Sequence, residues 1–246
     1  MHTSDDGGLK MMPFRYELHC HTKEGSTCAT LSAEETVALY HRIGYSGLCV
    51  TDHFSGSTPL PDDTPWDERV EFHYDIYQKA RTSGEKLGIS VFFGIEYSLA
   101  PDVERLTKVT GNDFIFLNIS REWLKGNKAA FSGRPEALFA KIREAGGLVI
   151  HAHPFYEAYW VECIRLYPGS VDAIEALNTG CTDFINDNAK SYARAYGLLE
   201  VGGSDCHSAD NACFSGVETD VPCLTADALA REIREKRARV IPSFTI

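Results

Sequence analysis

The chain has 246 residues, with 24 Lys and Arg against 35 Asp and Glu, a formal charge of −11 with its nine His counted as neutral. That balance argues against broad nucleic-acid binding, which needs cations to neutralise phosphates, and against an electrostatic membrane anchor. No apolar run approaches the roughly 18 residues of a membrane span, and an apolar share of 43% is ample for one large core, so the length suits one or two domains or a single α/β barrel.

The polar, Gly-rich stretch from Met1 to Met12 has no apolar signal-peptide region and reads as a frayed tail that includes His2. Phe14–Cys20 (FRYELHC) alternates and is aromatic, which predicts a strand. Ser32 and Glu35 have the spacing of a capping box, and the helix they open runs over Ala33–Ile43 to Gly44. Gly47–Thr51 reads as a buried strand, Phe54–Pro65 as a surface loop and Trp66–Arg81 as a helix. Ile89–Phe93 and Phe114–Ile119 read as strands, with Pro101–Thr110 between them open to an edge strand or a hairpin. Pro135–Ala145 is a predicted helix with Pro in its first turn, followed by a strand at Leu148–Ile150 and a helix over Phe155–Tyr167. Val171–Leu177 and Leu198–Val201 are predicted strands around a helix at Thr182–Tyr196 that Gly197 stops. A charged helix over Ala226–Arg237 and a final strand at Val240–Ile241 complete the pattern. Repeated alternation of strand and helix favours a parallel α/β sheet, and seven or so strands in this length favour a barrel. No repeat or long linker divides the chain, so residues 13–246 read as a single domain.

The eight cysteines are scattered and contain no CxxC pair, which speaks against a disulfide scaffold or zinc ribbon and for a reduced, cytoplasmic protein. The histidines are distributed differently. Metal-type residues recur just after predicted strands: His19-Cys20-His21, Thr51-Asp52-His53, Gly94-Ile95-Glu96, His151-Ala152-His153 and Ser204-Asp205-Cys206-His207. In a parallel barrel the C-terminal strand ends meet at one mouth, where active sites sit. Residues two apart on a strand share a face, so His19 with His21, His151 with His153, and Asp205 with His207 can each point inward together. Imidazole with carboxylate suits divalent Zn, Mn or Fe. Glu175 reads as a hydrogen-bonding residue of the rim, and Asp52 as a loop cap or an orienter of a ligand. His41 and His73 fall inside predicted helices and read as structural, and the basic run Arg231 to Arg239 reads as a solvated helix face.

At these residues the sequence resembles the PHP family, the polymerase and histidinol phosphatase domain. The motifs ELHCHT, VTDHF, FGIEYS, HAHP and GGSDCH appear in the family's order between residues 18 and 207. The resemblance implies a distorted, TIM-like barrel of seven parallel strands, with the metal site at the C-terminal mouth and two or three divalent ions. By motif, the implied ligands are His19, His21, His53, Glu96, His153, Asp205 and His207. Many members carry a further ligand soon after the first motif, for which Glu24 is the nearest substitute here, and a His after the fourth main strand, where this chain has Asn118. His151 is an additional imidazole, a ligand, proton donor or orienter.

The implied function is hydrolysis of phosphoesters, with a small phosphomonoester as substrate, through attack of a metal-bound hydroxide. Lys23 and Arg121 are the candidate cations for phosphoryl oxygens, and His151 or His207 the candidate proton donor. No GxSxG, HExxH or GxxxxGK[ST] motif supports another hydrolase or nucleotide-binding class. Two alternatives are an amidohydrolase-type enzyme acting on carbonyl substrates and a non-catalytic metal-binding module. The Asp205-x-His207 ending and the near-complete ligand set favour the phosphoesterase. Ser55–Asp67 and Arg121–Arg134 are the predicted rim segments.

Overall fold

The computed structural model describes residues 12–210 and 213–245; the predicted tail up to residue 11 lies outside them. Strand β1 (Phe14–Cys20) leads through helix α1 (Ala33–Arg42) to β2 (Gly47–Val50), and α2 (Trp66–Leu87) leads to β3 (Ser90–Ser98). After β4 (Asp113–Leu117) come the short helices α3 (Arg121–Gly126) and α4 (Lys128–Phe131), then α5 (Pro135–Glu144) and β5 (Leu148–His151). The chain continues through β6 (Ala173–Asn178), α6 (Asp183–Tyr196), β7 (Leu199–Gly203), β8 (Cys213–Thr219), α7 (Ala226–Arg234) and β9 (Arg239–Thr245).

Among the described residues the sheet is a nearly closed barrel of nine strands in the order β7-β6-β5-β4-β3-β2-β1-β8-β9, where seven parallel strands were expected. β1–β2–β3 and β5–β6–β7 run parallel, but β4 is antiparallel to both neighbours. A parallel return needs a crossover, usually a helix. The stretch from 99 to 112 carries none, and backbone bonds from Leu99 to Thr110 and Asn112 clasp its ends, so the chain doubles back as a hairpin. Pro101–Thr110 itself forms neither an edge strand nor a hairpin of its own; it is the run of turns that joins β3 to β4.

The two extra strands also have a local cause. β8 pairs antiparallel with the first half of β1, and β9 pairs with β8. The second half of β1 is instead bridged in parallel, Cys20 to Cys206, to the segment after β7. β8 was missed because Gly216, at φ 142°, breaks its alternation. A Cβ there would lie 2.3 Å from the Tyr16 carbonyl oxygen, so only glycine allows this close approach to β1.

Tyr16, Leu18, Phe92, Ile115, Leu148 and Val201 fill the barrel interior, and Leu229 and Ile233 of α7 close it at the end opposite the mouth. Outside, α1 and α2 cover β2 and β3 through Val37, Tyr40, Leu48, Val50 and Ile76. The capping box of Ser32 and Glu35 forms at α1 as the sequence indicates. α2 runs on to Leu87, past its predicted end, because Gly84 lets Val91 pack against it and Gly88 supplies the left-handed stop. The predicted helix over Phe155–Tyr167 does not form; Tyr156 and Val161 close isolated turns only. There the Asn112 side chain takes the Cys163 carbonyl and the Arg165 N–H, backbone groups that a helix would have used. Among the described residues, no helix is long and apolar enough to cross a membrane.

Candidate metal centre

The first motif faces inward because β1 bulges. Its register to β2 shifts between Glu17 and Cys20, so Leu18 in the barrel interior is followed by an inward His19 instead of an outward one. The bulge frees backbone donors, and one buried carboxylate collects them. Glu17 Oε1 accepts from Leu18 N at 2.9 Å, His19 N at 2.8 Å and Ser204 N at 3.0 Å. The Tyr40 hydroxyl donates to its Oε2 at 2.9 Å. Beyond the bulge, alternation resumes: Cys20 turns into the outer layer with α1, and His21 turns into the mouth. Glu96 arrives by plain alternation along β3, and His53 is bridged to it directly.

His153 and Asp205 reach the centre by a different route. Both have positive φ, 26° and 50°. Val149 and His151 of β5 face the outer aromatic layer, so strict alternation would have sent His153 outward too. The turn at His153 swings it back into the mouth. Such conformations cost energy for non-glycine residues and concentrate at functional sites.

These turns and strands bring His19, His21, His53, Glu96, His153, Asp205 and His207 together. Glu96 is the hub, with its carboxylate 2.6 Å from His53 Nδ1, 3.2 Å from His153 Nε2, 3.3 Å from His19 Nε2 and 3.6 Å from His21 Nε2. Asp205 Oδ1 lies 3.2 Å from His21 Nε2 and 3.3 Å from His19 Nε2. Three sets, His19–Glu96–His153, His19–His21–Asp205 and His21–His53–His207, each hold their ligand atoms within 4.8 Å of one another.

The donor set fits divalent cations. His19 Nε2, His21 Nε2, His53 Nδ1 and Glu96 Oε2 are buried without a partner at hydrogen-bonding geometry, the close His53–Glu96 contact included, a costly condition unless an ion satisfies them. The far ring nitrogens are tied down. His19 Nδ1 bonds Glu175 Oε1 at 3.0 Å, His21 Nδ1 bonds Ser26 Oγ at 3.0 Å, and His207 Nδ1 bonds the Asp205 carbonyl at 2.7 Å. Ser26 Oγ in turn donates to Asp52 Oδ1 at 2.8 Å, so it accepts the His21 proton and leaves Nε2 with a free lone pair. Asp52 and Glu175 are thus orienters. Glu175 also accepts from His153 N and Asn178 Nδ2, each at 2.9 Å.

Burial raises the carboxyl pKa of Glu96, but His53 and His19 outweigh it and hold the group well below its usual range. Asp205 behaves the same way beside His19 and His21. Burial depresses His153, yet Glu96 and Asp205 bring it up to about 9. The metal-free centre therefore carries ionised Glu96 and Asp205 beside a protonated His153, while burial, with His53 adding to it, lowers His21 to about 3 and keeps it neutral. Metal needs the neutral imidazole, so binding must expel protons. Metal affinity is expected to rise with pH until about 9, and calorimetric titration in buffers of different ionisation enthalpy should show proton release.

Room for this arrangement comes from glycine. A Cβ on Gly203 would sit 2.2 Å from Glu175 Oε1 and 2.7 Å from His19 Cβ. Gly203→Ala is expected to lower stability by about 1–3 kcal/mol and metal affinity by about 10-fold or more, read by thermal melts and competition with a chelating dye.

The structure leaves other candidates outside. Glu24 accepts from Ala33 N at 3.1 Å, capping α1, and joins no metal cluster. Lys23 is exposed and lies 3.6 Å from Glu35. Arg121 pairs with Glu71 and Glu122 and stacks on Tyr74 in a separate groove. Both it and Asn118, which donates to the Gly146 carbonyl, follow β4, whose reversed direction carries its C-terminal end away from the mouth. His151 packs on the Phe114 ring at 4.4 Å in the outer layer, where burial lowers its pKa to about 3.

Reversal of β4 instead brings its first residue, Asp113, to the mouth. It accepts from Ser98 Oγ, and burial and Glu96 raise its pKa. The signal for it was the hairpin. Once β4 is antiparallel, the residue before the apolar run faces the site, not the residue after it. Cys28 stands exposed at the same opening. Partial burial raises its thiol pKa, but the neighbouring imidazoles of His207 and His53 outweigh this and lower it to about 6.

Above the cluster opens a cleft of about 830 Å³, lined among others by His53, Glu96, Asp113, His153, Asp205 and His207. Its rim comes from Thr107, Lys108, Val109 and Gly111 and from Tyr156, Tyr159 and Trp160. Of the predicted rim segments, only Gly56 and Ser57 contribute, and Arg121–Arg134 does not.

The PHP domain model matches residues 17–199. The chain belongs to the PHP family. The matched stretch of this PHP chain holds the motif residues from His19 to His153. A PHP-associated model matches residues 185–238, from α6 to α7. Among solved structures, it is similar to a two-domain protein from Bacteroides vulgatus ATCC 8482 containing a predicted PHP-like metal-dependent phosphoesterase, at 16% identity and a TM-score of 0.66 over 93% of this chain. It spans 64% of that protein's length. PsfC from Pseudomonas syringae PB-5123 is similar at 18% identity and a TM-score of 0.64, over 94% of this chain and 92% of that one. An amidohydrolase from Chromobacterium violaceum, with bound sulfate and no metal, is similar at 14% identity and a TM-score of 0.56, over 92% of this chain and 97% of that one. No curated protein matches.

Proposed function

We propose that this PHP-family enzyme hydrolyses small phosphomonoesters, with two or three divalent ions (Zn, Mn or Fe) held by His19, His21, His53, Glu96, His153, Asp205 and His207. The observation that carries this reading is the set of buried, partnerless donor atoms facing one another from rings whose far nitrogens are anchored. When bound, such ions supply a water that deprotonates near neutrality and a Lewis-acidic hold on phosphoryl oxygens.

The chain's own residues do the rest. Glu175, Ser26 and Asp52 fix ring orientation. His207, with 27% of its side chain exposed, is the most accessible imidazole of the cluster; its Nδ1 is held by the Asp205 carbonyl and its Nε2 would face an ion, so the leaving alcohol takes its proton from water in the cleft. Lys108 on the rim is the cation positioned to meet phosphoryl charge, a role for which Lys23 and Arg121 are misplaced. The cysteines are free thiols, which supports a cytoplasmic setting.

The test is metal analysis of the purified protein joined to a panel of phosphomonoesters, phosphodiesters and carbonyl substrates. Turnover of phosphomonoesters that vanishes in His19→Ala and Asp205→Ala is the expected result. Stoichiometric metal with no phosphoester turnover refutes the proposal, and hydrolysis of an amide or lactone alone would support the amidohydrolase alternative.

A further inference from the structure

The cleft has two unlike surfaces. Its floor is imidazole and carboxylate, while one wall is aromatic, made of Tyr156, Tyr159 and Trp160. Tyr159 is 98% exposed and Trp160 49% exposed, whereas most aromatic rings of this chain are buried. Apolar surface left in water at the edge of a site is a place for a ligand to cover.

The rings form a ladder that starts at the metal centre. His153 lies 5.5 Å from Tyr156, Tyr156 lies 6.3 Å from Trp160, and Trp160 meets Tyr159 edge-on at 4.7 Å and 87°. The last pair presents a corner, one face and one edge, which suits a flat ring better than a flexible chain.

This wall is fixed in place although its segment forms no helix. Asn112, just ahead of Asp113, donates to the Cys163 carbonyl at 3.0 Å and accepts from Arg165 N at 2.8 Å. Gly111 packs so closely that a Cβ there would lie 2.7 Å from Val161. The hairpin that delivers Asp113 therefore also positions the aromatic corner.

Charge narrows the ligand further. Lys108 is the one Lys or Arg among the described residues lining the cleft, against the carboxylates of Glu96, Asp113 and Asp205. A single phosphoryl group can be met by bound cations and Lys108; a polyphosphate chain would find too few cations.

We infer that the cleft selects phosphate monoesters whose alcohol carries a planar ring system, of the nucleoside monophosphate type, by stacking that ring on Trp160 and Tyr159. The inference rests on the phosphoesterase reading above and deepens it. The experiment compares adenosine 5′-monophosphate with ribose 5-phosphate on the full, metal-loaded chain. Both lose phosphate from the 5-hydroxyl of a ribose and differ by the base that sugar carries. Stacking of one base predicts about a 10-fold or larger preference in kcat/KM for the nucleotide, and Tyr159→Ala with Trp160→Ala should bring the ratio close to one. Equal kcat/KM for the two in the unaltered enzyme overturns the inference, as does an unchanged ratio in the double variant. Turnover of other phosphomonoesters with none of the nucleotide also overturns it while the phosphoesterase reading stands. Absence of any phosphoester turnover removes both.

Discussion

Glu96→Gln is expected to lower metal-dependent turnover by more than about 100-fold while leaving the barrel folded. The substitution keeps shape and removes charge. Glu96 contacts four imidazoles through two oxygens, and its Oε2 is buried without a hydrogen-bond partner. An amide offers one oxygen and, on the other side, two N–H donors that would face atoms needing a cation. Metal content by elemental analysis should fall together with kcat/KM, and the circular dichroism spectrum should not change. Full metal occupancy with normal activity in this variant would remove Glu96 from the centre.

The second large effect lies outside the site. His73 of α2 is 3% exposed, and neither ring nitrogen has a hydrogen-bond partner. It sits between Phe54 and Phe72, with ring centroids at 5.2 and 5.3 Å. Burial, with Arg69 adding to it, lowers its pKa to about 3. The unfolded chain takes up this proton near pH 6.5, whereas the native state refuses it until about pH 3. Below about 6.5, therefore, the unfolded state binds more protons, and stability falls as pH falls, by up to about 1.4 kcal/mol per pH unit. Above that range His73 contributes no pH dependence. His73→Leu should remove this component and raise stability at pH 7 by about 1–3 kcal/mol. Urea midpoints of metal-free protein and variant between pH 7 and 4 measure both effects. Parallel curves for the two would show that His73 is not held neutral.

Much of the centre was legible because strand alternation and motif spacing act locally. Glu96 follows from the parity of β3, and the dyads around Cys20 and Cys206 place their flanking residues together without knowledge of the rest of the chain. Parity failed where the backbone departs from a regular strand. His151 and His153 look equivalent in sequence, but a positive φ at His153 separates them, so one faces the mouth and the other the aromatic layer. The direction of β4 was the larger loss. Reading it as parallel put Asn118 and Arg121 at the mouth and hid Asp113. Nothing in the run FIFL encodes direction; the missing crossover helix before it does. Glu24 was chosen for nearness in sequence, and its carboxylate is engaged by the α1 amide instead. Glu17 was read only as part of a strand. Its role depends on a bulge that a linear pattern does not announce.

The pairing of β1 with β8 has a consequence for how the molecule assembles. Tyr16 sits opposite Val217, about two hundred residues along the chain, and closing a loop of that size is entropically unfavourable until many intervening contacts exist. Strands β1 to β7 can associate through near neighbours, but the gap beside the first half of β1 stays open until β8 arrives. During synthesis the first half of β1, just ahead of His19 and His21, must therefore wait with one edge unpaired, the condition in which strands seek foreign partners. Slow final closure, sensitive to changes at Gly216 and visible as late protection of β1 amides in pulse-labelled hydrogen exchange, is the kinetic signature this topology carries.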